Sequence, residues 1–330
     1  MSKQVKILVL RFSSIGDIVL TSPVVRNLKK QIDNVALHYL TKTTFRGLLM
    51  HNPYVDKVWS FNKDLDEVLP DLLNEKFDYV VDLHKNLRTL RLKKSLKVKA
   101  LSFDKQNINK FLLAKLKINR MPGAHIVDRY MACVRSLGVV NDKEGLDFFT
   151  NPESENIFVE LSNKLPEKYT VVVVGAAHFT KVPTVQKYRE ILEAVDRTFV
   201  LVGGERDCAN AQAIEDQTNV VIHNYCGKTT LDTSAMLIKN AELVITPDTG
   251  MMHVAAAYKI PIVSLWGNTV PEFGMTPYYG INKVSNLISE VKGLSCRPCS
   301  KIGYDSCPKG HFKCVKHIEV NQIQKWVGEI

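Results

Sequence analysis

The chain has 330 residues, 45% of them hydrophobic and 24% charged, which sets a prior of about two domains and is ordinary for a globular fold. No apolar run approaches the roughly 18 residues that span a bilayer. The start, Met-Ser-Lys-Gln-Val-Lys, lacks the apolar region and cleavage site of a secretory signal, so a cytoplasmic location is expected. The net charge of +10 is uneven: residues 1–165 hold 27 Lys and Arg against 18 Asp and Glu, and residues 85–120 hold 12 against Asp104 alone. Such a field either attracts an anionic partner (nucleic acid, an anionic membrane face or a phosphorylated lipid) or is a solvated helical face.

Strand-like and helix-like patterns alternate along the first half. Residues 5–10, 35–40, 55–61, 79–83 and 98–103 read as short apolar strands. Helical patterns cover 18–30, 44–50, 65–75, 87–96, 108–118 and 126–137. The rhythm breaks over 138–166, where Asn151, Pro152 and Pro166 flank one more helix at 153–164, so the domain divide is placed near Pro166. It then restarts, with strands at 169–174, 199–202, 220–223, 243–245 and 262–266 between helices at 185–194, 208–216, 231–240 and 250–258. This βαβα order predicts parallel sheets covered on both faces. The expected architecture is α/β, with two doubly wound Rossmann-like domains, 1–165 and 166–330, facing a cleft. The tail from Lys292 is irregular and ends in a helix over 320–327, whose apolar face has packing across the first domain as one option.

The stretch 246–257, Thr-Pro-Asp-Thr-Gly-Met-Met-His-Val-Ala-Ala-Ala, follows a buried strand and opens a helix. Asp248 or Thr249 is expected to cap it with a side-chain oxygen. The amides of Gly250, Met251 and Met252 then point outward at the carboxyl end of a strand, where a phosphate is well held. His253 lies one turn on. A capped strand-to-helix turn without a ligand fits the same residues.

Other strand ends carry related features. Residues 11–18, Arg-Phe-Ser-Ser-Ile-Gly-Asp-Ile, place Gly16 for a tight turn and Asp17 at a helix start. An Asp there is usually a cap, which the spacing alone favours, but it is also placed to act as a general base. Gly175 ends a strand, and Lys181 beyond it suits a diphosphate oxygen. Glu205 suits ribose hydroxyls or, equally, a helix start. Gly227–Thr230 borders a possible base pocket. Neither GxxxxGK[ST] nor GxGxxG occurs.

The segments "VLRFSSIGDIVLTSPVVRNLKK", "YVVDLHKNLRT", "GAAHFTKVP" and "VITPDTGMMHVAAAYKIPIVSLWGNTVPEFGMTPY" resemble glycosyltransferase family 9, the heptosyltransferases of lipopolysaccharide core assembly. The resemblance implies a GT-B fold and metal-independent, inverting transfer with no cofactor, ADP-heptose being the donor substrate. It implies Asp17 as catalytic base and Lys181 at the donor phosphates. The donor site would comprise Gly175, Thr180, Lys181, Glu205, Thr229, Asp248, Thr249, Gly250, Met251 and His253. The acceptor site would comprise Ser14, Gly16, His84, Asn86, Arg88 and Arg91. Where the family often has Trp between the Lys and Pro of the third motif, this chain has Val182. The expected partners are a sugar nucleotide, a phosphorylated lipid A–core oligosaccharide and an anionic membrane surface, with the protein a monomer, peripheral at the inner face of the inner membrane. A same-fold enzyme with another donor or acceptor is the alternative. A nucleic-acid binder using the basic stretch is disfavoured, because only Phe103 and Phe111 interleave its cations.

Cys296, Cys299, Cys307 and Cys314, with spacings x2, x7 and x6 and His311 and His317 nearby, would suit a structural zinc; reduced packing cysteines are the other reading.

Overall fold

Strand β1, Val5–Leu10, is buried along Ile7–Leu10 and pairs on both sides. Its partners are β2, Val35–Lys42, and β4, Tyr79–Asp82; β3, Lys57–Phe61, and β5, Lys99–Ser102, complete a parallel sheet in the order β3-β2-β1-β4-β5. The second sheet is built from β6, Thr170–Val173, β7, Phe199–Val202, β8, Ile222–Asn224, β9, Leu243–Pro247, β10, Ile262–Trp266, and β11, Asn286–Glu290. Its order is β11-β10-β9-β6-β7-β8, again parallel. The central strands are buried on both faces, and each fully buried Val, Leu or Ile contributes about 1.5–3 kcal/mol. That is why they read as largely apolar runs. The computed structural model describes residues 3–330. Among these, no helix is long and apolar enough to cross a membrane.

The chain divides into two compact units, residues 1–105 with 124–149 and residues 106–123 with 150–330. Loss of rhythm in the sequence put the divide near Pro166. The helix Glu153–Ser162 instead packs on Leu231–Lys239 and so groups with the second unit. The irregular stretch before it stays with the first, because the buried Arg26 guanidinium holds Asp142, Asp147 and the Gly145 carbonyl. The basic stretch is therefore divided, with residues 106–120 belonging to the second unit.

Several elements differ from the sequence pattern. The helix expected over 18–30 is two, Ile15–Val19 and Ser22–Gln31, because Pro23 sits in the first turn of the second, where its missing N–H costs nothing. Gly16 lies within the first of them rather than at a turn. Strand β11 was not expected: it is a half-buried edge strand, and its short alternating pattern is weak. The terminal helix, Val320–Gly328, buries Ile323 and Val327 in the second unit's own core against the helix Val185–Val195.

Candidate functional site

Strand order locates the sites. In the first sheet the order reverses between β1 and β4, and in the second between β6 and β9. Crevices outside the carboxyl ends of strands at such points are where open α/β sheets bind ligands.

In the second unit the loop after β6 ends in a 3₁₀ turn, Phe179–Lys181, and the loop after β9 runs Asp248-Thr249 into the helix Gly250–Ala257. The Lys181 ammonium donates to Asp248 Oδ2 at 2.6 Å and to the Asp248 carbonyl at 3.2 Å. Thr269, just after β10, donates to the same carboxylate oxygen at 2.8 Å. Neither Asp248 nor Thr249 caps the helix through its side chain, contrary to expectation: Asp248 faces Lys181 and Thr269, and Thr249 is the N-cap residue without a side-chain bond. The Met252 amide donates to the Thr249 carbonyl at 3.2 Å, so the amides that helix geometry leaves for an anion are those of Gly250 and Met251. His253 is buried in the first turn of that helix.

The remaining donor-side candidates spread along the same sheet edge. A Cβ at Gly175 would lie 2.0 Å from Asp207 Oδ2, so a larger residue there would displace that side chain. Glu205 is exposed after β7, beside Gly227, whose φ of +68° favours glycine. Thr229 exchanges a hydrogen bond with Ser234 Oγ at 2.8 Å. Thr180 is buried, and its hydroxyl is engaged by the tail: it accepts from the Tyr304 amide at 2.8 Å and donates to the Tyr304 carbonyl at 3.1 Å.

In the first unit the loop after β1 carries Asp17 and the loop after β4 carries His84. Asp17 Oδ1 pairs with the buried Arg11 guanidinium at 2.6 Å, while Oδ2 accepts from Ser14 Oγ at 3.0 Å and the Ser14 amide at 3.3 Å. Burial pushes the Asp17 carboxyl up, but the Arg11 charge and the bonds from Ser14 and Arg11 outweigh it and hold the group below the ordinary carboxylate range. Asp17 is thus both the helix-start acceptor that spacing favoured and a fixed carboxylate. His84 packs on Phe12 with ring centroids 4.8 Å apart. Burial, then the Arg11 and Lys105 charges, lower its imidazole to about 4, so it is neutral at physiological pH. Arg88 lies 5.8 Å from the Phe12 ring. Asn86 caps the helix Leu87–Leu96 by accepting from the Thr89 amide at 3.0 Å. Arg91 is paired with both carboxylate oxygens of Asp66 at 2.8 Å.

A family model described as glycosyltransferase family 9 (heptosyltransferase) matches residues 68–304. The chain belongs to that family. Lipopolysaccharide heptosyltransferase 1 of Campylobacter coli is 23% identical over 98% of both chains. Lipooligosaccharide heptosyltransferase 2 of Campylobacter jejuni is 33% identical, over 35% of this chain and 34% of its own length, so that match spans about a third of the relative. The structure of Escherichia coli ADP-heptose lps heptosyltransferase II is 18% identical, with a TM-score of 0.75 over 98% of both chains, and shows the GT-B-like fold.

Several residues of this family 9 chain's sites escape sequence reasoning. Arg11 donates to the Ser13 and Leu83 carbonyls and to the Tyr130 hydroxyl besides holding Asp17, and Tyr130 arrives from a helix over a hundred residues later. No local pattern signals that contact. Thr269 stood inside the quoted fourth motif, but only the pairing of β9 with β10 brings it to Asp248. The Asn268 carboxamide next to it is buried with both polar atoms unpartnered.

For the tail cysteines the sequence left two readings, a structural zinc or reduced packing thiols. All four are free thiols, and among the described residues no group of three or more His, Cys, Asp or Glu side chains is placed to hold a metal ion. Cys314 is buried in an apolar cluster with Phe312 and Val315, while the Cys296 thiol lies 3.8 Å from His311 Nε2. Burial pushes the Cys314 thiol up to about 12, favouring a packed, protonated thiol. Arg297 of this tail donates to Glu290 at 2.6 Å and to the Gly267 and Thr269 carbonyls at 2.7 and 2.8 Å, bracing the loop that carries Thr269 beside Asp248. Arg297→Ala leaves a nearly buried Glu290 carboxylate unpaired and is expected to lower stability by about 3–5 kcal/mol, read as a large drop in Tm. A Tm within a degree or two of the parent would contradict the brace.

Proposed function

We propose that this protein transfers heptose from ADP-heptose to a lipopolysaccharide inner-core acceptor with inversion at the anomeric carbon. What carries the reading is the Lys181–Asp248 pair beside the uncapped start of the helix Gly250–Ala257, at the switch point of the second sheet. A cation fixed by a carboxylate, next to two outward amides, suits a diphosphate. The ADP-heptose named for the Escherichia coli structure supports that donor.

The second unit holds the donor and the first the acceptor. Asp17 takes the proton from the acceptor hydroxyl as that oxygen attacks the anomeric carbon. The departing ADP gains negative charge, which Lys181 and the Gly250 and Met251 amides stabilise. Those groups supply the positive charge themselves, so the reaction is expected to proceed undiminished in EDTA. Glu205 and Thr229 serve the nucleoside end, and Ser14, His84 and Arg88 the acceptor. The protein works as a monomer at the cytoplasmic face of the inner membrane.

Calorimetry with ADP, followed by a transfer assay over a panel of sugar nucleotides, tests this. Binding of ADP with turnover of ADP-heptose alone is expected; turnover of a different nucleotide sugar would favour the same-fold alternative.

The Arg11–Asp17 pair adds a pH prediction. Because the folded carboxyl is held low, Asp17 is a carboxylate throughout the neutral range, and the acid limb of kcat/KM lies below the ordinary carboxylate range. Arg11→Gln removes the lowering charge and leaves the raising effect of burial, so that limb should move to higher pH. An unmoved profile would show that Arg11 does not position or tune Asp17.

A further inference from the structure

The segment 106–123 carries an exposed face that the transfer chemistry does not use. A short helix, Asn107–Phe111, continues into a single π-helical turn, Leu112–Leu116. One side is anchored: Leu113 and Ala114 are buried, and Leu113 packs with Val270, Phe273 and Met121 of the same unit. The far end is tied down by Lys117, whose ammonium donates to the Ala114 and Cys296 carbonyls at 2.9 and 3.2 Å. The other side is apolar and open. Ile108 is 76% exposed, Phe111 52%, Leu116 57% and Ile118 45%.

Single exposed apolar residues are normal, but four within eleven consecutive residues of one anchored segment form a face. Ile108, Phe111 and Lys115 recur at three and four residues, which sets the exposed Lys115 ammonium beside the apolar side chains. Residues 105–120 contain five Lys and Arg and no acid, and Lys115 and Arg120 are both exposed. Apolar side chains flanked by cations on a short helix are the features of an element that lies in a bilayer interface.

We propose that residues 107–120 dock this protein onto an anionic bilayer, with Ile108, Phe111, Leu116 and Ile118 entering the headgroup–acyl boundary and Lys115 and Arg120 meeting lipid phosphates. The inference rests on the membrane placement proposed above and locates it on a surface. Charge complementarity selects the partner: a neutral protein groove would satisfy the apolar side chains and leave the cations unmatched. A nucleic acid would use the cations but leave Ile108, Leu116 and Ile118 in water.

Flotation with vesicles tests it, using phosphatidylethanolamine containing phosphatidylglycerol against phosphatidylcholine alone. The protein should float with the anionic vesicles only, and less so in high salt. Ile108→Ser with Phe111→Ser should weaken flotation by about ten-fold or more. Lys115→Glu with Arg120→Glu should weaken it by at least about five-fold for each cation removed. Both double variants should keep the parent's transfer rate on a water-soluble, lipid-free acceptor, so failure of docking is separable from failure of the transfer reading. Absence of flotation by the parent, or flotation undiminished in the serine variant, would overturn the proposal. So would a dimeric parent that the serine variant converts to a monomer, since the face would then be an interface between copies.

Discussion

Asp17→Asn is expected to lower kcat for transfer by about 10²–10⁴-fold while the Kd for ADP stays within a few-fold. The amide is nearly isosteric, so its oxygen can still accept from Ser14 or from Arg11, but it cannot take a proton from an attacking hydroxyl. Arg11 would keep its bonds to the Ser13 and Leu83 carbonyls and the Tyr130 hydroxyl, so the loop should hold its shape. The combination of lost turnover, kept ADP affinity and a Tm close to the parent's separates a chemical role from a structural one. Turnover above about a tenth of the parent's would remove Asp17 from the base role, since general-base catalysis contributes at least about a hundred-fold.

Lys181→Ala should weaken ADP binding and lower kcat/KM by about 10²–10³-fold, the usual loss when a donor to developing negative charge is deleted. It has a second consequence. Asp248, 10% exposed at its side chain, would keep only the Thr269 hydroxyl, and a largely buried carboxylate without its cation destabilises the fold by about 1–3 kcal/mol. Asp248→Asn combined with Lys181→Ala removes that unpaired charge and should recover part of the Tm without recovering ADP binding. Calorimetry and thermal melts of the two single variants and the double variant complete the cycle. ADP affinity unchanged in Lys181→Ala would contradict the phosphate role outright.

The parallel α/β character was legible because central strands buried on both faces are largely apolar, with few polar residues such as Lys6 and Ser264 among them. Val5–Leu10, Phe199–Val202 and Ile262–Trp266 begin and end where the apolar runs do. Strand β11 was not legible, because an edge strand half in solvent needs no such run. Motif residues at strand ends were legible as types: a lysine, an Asp-Thr-Gly turn and an aspartate after the first strand. Their partners were not. Lys181 and Asp248 are 67 residues apart and meet only because β6 lies beside β9. The same holds for β1 and β4, which set Arg11 against the Leu83 carbonyl.

Periodicity, charge and motif order are local properties of the chain, so the alternation of strands and helices, the basic character of residues 85–120 and the membership of family 9 were readable from the residues alone. Packing settled the rest: Asp248 faces Lys181 rather than capping its helix, Arg11 holds Asp17, Arg297 braces the loop after β10, and Ile108 and Phe111 are left in solvent. Each of these depends on which neighbour a side chain meets. Strand order and packing fix that neighbour across tens to hundreds of residues, a distance over which local propensity carries no information.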